Sequence, residues 1–233
     1  MRLKTTILLL SLSVWLPNLS KAQETTIKAE ISKEAKQYRD TTIVKYWPNG
    51  LPKKQESFDS EGLLTGPSFS FRQSGSITKM ETYFKGRLHG PMLKVNNRGK
   101  IKEEASYVNG EVDGLVMKYY GDGKKQEQSN YKMGIKDGKS IWYYTNGNMS
   151  TMLSYSDNNL QGEAKSFYND GSVKEIYAYE ENLKEGPYME FYEDGKTKVQ
   201  GQYKNGKQEG KWLYYSESGE LLKTEKYRKG ELR

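Results

Sequence analysis

Four tyrosines, Tyr120, Tyr144, Tyr168 and Tyr192, recur at one position of consecutive 24-residue periods. A phenol ring offers a ligand a flat apolar face and a single hydroxyl. Each of the four directly follows a member of an aromatic column, Tyr119, Tyr143, Phe167 and Phe191, and successive residues of a strand point to opposite faces. The four rings are therefore the candidate interaction surface, a ladder suited to a long, repetitive ligand that gains by effective concentration. Their plainer role is to shield a sheet and stack across strands. The same position holds Arg72, Asn96 and Ser216 in other periods, so the aromatic row is local.

The other reactive side chains do not assemble into a catalytic or metal-binding pattern. His89 is the only histidine and precedes Gly90 in an expected turn, where other periods carry Asp113, Asp137, Gln161, Glu185 and Glu209. A Ser-His-Asp triad would rest on that one imidazole, and a polar turn residue is the simpler reading. The carboxylate pairs Glu180-Glu181 and Glu193-Asp194 are adjacent on strands or turns, which sends them to opposite faces. The Asp-Gly turns lack the alternating ligands and distal glutamate of a calcium loop, and the glycines lack the order of a phosphate loop. There is no cysteine, which removes disulfides, thiolate chemistry and Cys-held zinc. The expectation is a non-enzymatic chain with no catalytic, cofactor-binding or metal site.

The elements that must position the tyrosines follow from three columns in phase. Gly66, Gly90, Gly114, Gly138, Gly162, Gly186 and Gly210 form one, and Gly75, Gly99, Gly123, Gly147, Gly171, Gly195 and Gly219 a second. A third runs from Gly62 to Gly230 and is replaced only by Asn158 and Asn182, the side chain that best tolerates a left-handed backbone. A fourth column is tyrosine throughout, from Tyr83 to Tyr227. Short β-prone runs such as Trp142-Tyr143-Tyr144 lie between the glycines without helical periodicity. Each period thus reads as strand, turn, strand, turn, about eight times. Phe69/Phe71 and their equivalents occupy one face of the first strand. Ile77, Ile101, Met149, Val173 and Leu221 precede the tyrosine column by six residues, which by simple alternation places them on its face. Turns such as Thr145-Asn146-Gly147 suit three-residue loops, which put Ile77 beside Phe71.

Composition agrees with a core spread along the chain. Of 233 residues 34% are hydrophobic, and 19 tyrosines stand against six phenylalanines. Met1-Arg2-Leu3-Lys4, the apolar stretch Ile7–Leu16 and Ser20-Lys21-Ala22 form a signal-peptide pattern with cleavage before Gln23. The expected organisation is a signal peptide over 1–22, a linker or cap over 23–43 and a repeat array over 44–233, in a chain exported to the periplasm or beyond. The formal charge is +7, and losing Arg2, Lys4 and Lys21 leaves it near +4. Lysine and glutamate alternate without a basic stripe, which argues against a nucleic-acid partner.

The segments Tyr83-x-x-Gly86-x-x-x-Gly90, Tyr107-x-x-Gly110-x-x-x-Gly114 and Tyr203-x-x-Gly206-x-x-x-Gly210, each followed by a tyrosine-rich strand and an Asn/Asp-Gly turn, resemble MORN repeats. The chain is most similar to the variant repeats of bacterial YwqK-family antitoxin-like proteins, over residues 44–233. The eukaryotic motif resumes with Gly-x-Gly after its second glycine, whereas Gly90 is followed by Pro91-Met92 and Gly186 by Pro187-Tyr188. The resemblance implies an all-β, elongated antiparallel sheet of tandem 24-residue β-hairpins used for protein or cell-envelope contacts. The expected partner is accordingly a protein or a cell-envelope polymer. Binding a cell-wall glycan through the tyrosine row is the alternative. Peripheral membrane contact is the weakest of the three, because no basic amphipathic segment is visible.

Overall fold

The structure, a computed structural model, describes residues 41–233. The expected signal peptide and all but the last three residues of the expected linker lie outside them. Among the described residues there is no helix, and the strands pair antiparallel with their neighbours along the chain. The chain divides into two compact units, one ending at Glu111 with Gly121–Gly123, the other comprising Val112–Tyr120 and Lys124–Arg233. The first contains the strands Thr41–Tyr46, Pro52–Phe58, Gly66–Phe71, Ile77–Phe84, Arg87–Val95 and Ile101–Val108. The second repeats the pattern from Gly114–Tyr119 and Lys125–Lys132 to Lys207–Tyr215 and Leu221–Arg228. The opening strand takes in Thr41–Ile43, residues assigned above to the linker.

The first turn of each hairpin has the expected three-residue loop. Tyr144 N donates to Asn148 O at 2.8 Å and Gly147 N to Tyr144 O at 2.9 Å, with Gly147 at φ 99°. This is a type I turn closed by a left-handed glycine. Phe71 consequently pairs with Ile77 and shares its face.

The next step departs from simple alternation. Ser70 pairs with Lys79, which leaves Thr78 as an extra residue, and the same shift recurs between Trp142 and Tyr143 and between Glu190 and Phe191. A one-residue bulge reverses the side-chain parity beyond it. Tyr83 therefore lies opposite Gly66, on the face away from Phe71 and Ile77, which corrects the expectation that Ile77 and Tyr83 share a face. The same parity puts Tyr120 and its equivalents on the side of the tyrosine column. The sheet thus has a tyrosine face and an apolar face.

The second turn is a two-residue loop. Phe84 pairs with Arg87, and Lys85 and Gly86 have φ of 47° and 77°. Two successive left-handed residues make the type I′ turn that matches strand twist. Asn158 and Asn182 take the glycine place at φ 67° and 68°, as the column predicts. These turns stitch hairpins together: Gly134 N donates to Val112 O, Asn158 N to Lys136 O and Asn182 N to Leu160 O, at 2.7, 2.9 and 3.1 Å. Each asparagine adds a second tie, since its Oδ1 accepts from Lys136 N or Leu160 N.

Candidate functional site

The four tyrosines of the candidate surface are half-buried, and each hydroxyl reaches the next hairpin. Tyr120 Oη donates to Tyr143 O, Tyr144 to Phe167 O, Tyr168 to Phe191 O and Tyr192 to Tyr215 O, the last three at 2.7 to 2.8 Å. The acceptor lies 23 residues ahead every time. Trp47 Nε1 makes a corresponding bond to Phe71 O, and Arg72 one to Val95 O. The position is thus an inter-hairpin anchor whatever residue fills it, and the bond fixes where each ring sits. Lys174 Nζ lies 5.8 Å from the ring centroid of Tyr168 and Lys198 Nζ 5.8 Å from that of Tyr192, close enough for a cation–π contact.

Beyond the row, the tyrosine face is a packed, charge-paired layer. Lys118 binds Glu127 at 2.7 Å and Lys198 binds Glu190 at 2.8 Å. Burial opposes the charge on Glu127, but hydrogen bonds from Lys118 and Ser129 outweigh it and hold the carboxyl below its ordinary range. Burial likewise acts against Glu175, where Ser166 and Tyr188 donate and Lys184 adds its charge, again with a net lowering. Burial and the neighbouring Glu81 push Tyr83 up to about 12. Burial, Tyr179 and Glu175 do the same to Tyr177.

Two features of this layer went unread in the sequence. Lys184 Nζ sits among Tyr177, Tyr188 and Tyr203 at 4.2, 5.5 and 5.1 Å from their centroids. Lys136 is similarly placed among Tyr131, Trp142 and Tyr155. The available signal was a lysine at a position that is leucine or valine at Leu64, Leu88, Val112 and Leu160. Each cage is filled from within the chain. Beside the last such group, Tyr192, Tyr214, Tyr215, Lys198 and Lys223 border an open hollow of about 330 Å³.

His89 occupies a structural position. Its Nδ1 accepts from Asn109 N at 3.4 Å, and in the same way Asp113 accepts from Met133 N, Gln161 from Glu181 N, Glu185 from Asn205 N and Glu209 from Lys229 N. The column satisfies the first left-handed N–H of the next type I′ turn, a group that would otherwise lack a protein partner. Among the described residues no three metal-capable side chains converge.

Stitched hairpins, phased glycines and a repeated anchor define a tandem β-hairpin repeat protein. The MORN repeat variant family matches five consecutive repeats, residues 112–133, 136–157, 160–181, 184–205 and 208–229. The chain is a MORN-variant repeat protein. Among the curated proteins none matches it. Similar solved structures include TarM of S. aureus in complex with fondaparinux, α-GlcNAc-glycerol and UDP, at 13% identity over 61% of this chain and 24% of TarM, with a TM-score of 0.25. The GtfA/B complex bound to UDP and GlcNAc is 12% identical over 49% of this chain and 23% of that one, at a TM-score of 0.22. TcdB2-TccC3-Cdc42 is 10% identical over 82% of this chain and 14% of that one, at 0.18. The chain spans about a quarter of the first two and less of the third, and likeness at these scores carries no weight for function.

Proposed function

We propose that the protein is an exported, non-enzymatic scaffold that presents a repetitive β surface to a protein partner in the cell envelope. The observation that carries this reading is the chain of anchors from Tyr120 to Tyr192, because hydroxyl bonds hold equivalent side chains at fixed, recurring positions. Repeated weak contacts on such a frame add through effective concentration. Export rests on the Ser20-Lys21-Ala22 site behind its apolar stretch. N-terminal mass spectrometry of the protein recovered from an exporting host should begin at Gln23, and a retained Met1 in the exported form would sink that part.

Glycan binding is the second reading, favoured by the open hollow where Tyr192 and Tyr214 meet Lys198 and Lys223. Aromatic faces and long polar side chains suit sugar rings. Pull-down from envelope extract, run beside binding to purified peptidoglycan and polysaccharide, separates the two. Capture of protein alone supports the scaffold, and saturable polymer binding alone supports the glycan module.

A further inference from the structure

The second unit leaves its apolar face open. The half-buried Ile141, Met152, Ile176, Met189 and Leu213 lie in one cross-strand row that starts from the buried Met117 and is joined through Gln128, Lys165 and Gln200. In the first unit the column of Ile77 and Ile101 is sealed, at 4% and 6% exposure, whereas the same column exposes Met149 by 38% and Leu221 by 55% in the second. Half-buried apolar side chains in rows are a surface built for cover. Methionine is over-used where a partner must be accommodated, because its side chain repacks.

Charge says what kind of partner fits. On the tyrosine face Lys118, Lys198 and Lys223 each hold a carboxylate. On the apolar face Lys125, Lys139, Lys204, Lys211 and Lys226 make no ion pair among the described residues, while of the carboxylates that share it Glu163 holds Lys165 at 3.0 Å and Glu185 and Glu209 accept from backbone N–H groups at 2.6 and 2.7 Å. Lys211 and Lys226 stand directly opposite each other across two strands. Like charges in that register repel, and a carboxylate placed between them would relieve the repulsion.

We infer that the apolar face of the second unit docks an acidic amphipathic protein segment, with apolar side chains on the methionine-rich row and carboxylates toward the flanking lysines. The inference rests on the scaffold reading and assigns it a face, the one opposite the tyrosine row. A protein segment is favoured over a lipid surface because the row, and the aromatic column from Tyr119 to Tyr215 beside it on the same face, are buried or half-buried in the sheet and do not protrude as anchors. Its hydrogen-bonded backbone also fixes a side-chain spacing that an alternating peptide can match.

The test uses the full chain and a labelled peptide of alternating leucine and glutamate, with a leucine–lysine peptide and anionic lipid vesicles as competitors for the assignment. Fluorescence anisotropy should show the acidic peptide binding, more weakly as salt rises, and the basic peptide at least about tenfold weaker. The triple variant Lys139→Glu, Lys211→Glu and Lys226→Glu should lose about tenfold in affinity with its melting temperature little changed, since these side chains are exposed. Should that variant unfold, oxidation footprinting of the unaltered chain decides the matter. Met149, Met152 and Met189 become protected by the peptide while Met133, at a turn and 50% exposed, does not. Equal binding of both peptides, wild-type affinity in the triple variant, or binding to vesicles alone would overturn the inference. A partner captured from envelope extract equally well by the triple variant would overturn it too and leave the scaffold reading standing.

Discussion

Trp212 lies over Gly201, and a Cβ at that glycine would overlap the indole ring. Trp212 is 2% exposed, stacks on Tyr188 at 5.3 Å and meets Tyr203 edge-on at 5.2 Å. Gly201 has no left-handed φ to explain it, so the glycine is there for space. Its equivalents Tyr177 and Leu153 are larger, and across the hairpin they meet Ala164 and Ser140 where Gly201 meets Tyr188. Gly201→Ala should destabilise the second unit by about 1–3 kcal/mol, the usual cost of overpacking. Urea unfolding followed by tryptophan fluorescence will measure it, and an unchanged midpoint would mean the indole moves aside freely.

The anchor bonds and the ring faces of the tyrosine row can be separated. Changing Tyr144 and Tyr168 to phenylalanine keeps both rings but removes two hydroxyl donors, at about 1 kcal/mol each. Such a variant should melt earlier yet keep any contact made through ring faces. Changing all four tyrosines to serine should lower both stability and contact. Binding to envelope extract beside thermal unfolding checks this, and binding that tracks the folded fraction in every variant would make the row purely structural.

His89 is a weaker acceptor than the carboxylates of its column, at 3.4 Å against 2.6 Å for Glu185 and 2.7 Å for Glu209. His89→Asp should therefore stabilise the protein by up to about 1 kcal/mol, since hydrogen bonds to charged groups are the stronger kind. Thermal unfolding at neutral pH is the measurement. A lower melting temperature would show that contact between the imidazole and Phe84, centroids 5.7 Å apart, matters more.

Stability should fall at both ends of the pH scale. Tyr83 and Tyr177 are raised from 10.0 to about 12 in the folded chain, so the stabilisation they carry is complete below 10 and lost as pH climbs toward 12. Glu127 and Glu175 are depressed below 4.5, so their contribution is complete above that value and disappears as pH falls through the lowered ones. Ultraviolet titration of the phenols alongside circular dichroism tests the alkaline limb. Phenol ionisation completed near 10 with the fold intact would contradict it.

The period, the hairpins, the three-residue loops and the left-handed asparagines were all legible, because each depends on residues a few positions apart. The side of the sheet that Tyr83 faces was not. It hinges on the extra residue of the bulge, and that place holds Thr78, Lys102, Gln126, Ser150, Lys174, Lys198 or Leu222, a set with no shared chemistry. The roles of His89 and Tyr120 were hidden for a related reason. Their partners are a backbone N–H at Asn109 and a backbone carbonyl at Tyr143, 20 and 23 residues away, and backbone groups leave no mark in composition.

Stitching at constant offset gives the array something like a reading frame. Gly134 reaches back to Val112 and Asn182 to Leu160 by the same number of residues, and Tyr144 reaches forward to Phe167 by another fixed number. Excision of residues 136–159 would bring Leu160 into the place of Lys136 and hand the carbonyl of Phe167 to Tyr120 in place of that of Tyr143. Every tie would be remade by a substitute, so a chain shortened by one full period should still fold cooperatively. A cut two residues longer or shorter would put the ties that span it out of phase, that of Tyr120 among them. Lengthening or trimming by whole periods is then the change such a chain survives, and the number of repeats can drift while the surface chemistry of each stays in register.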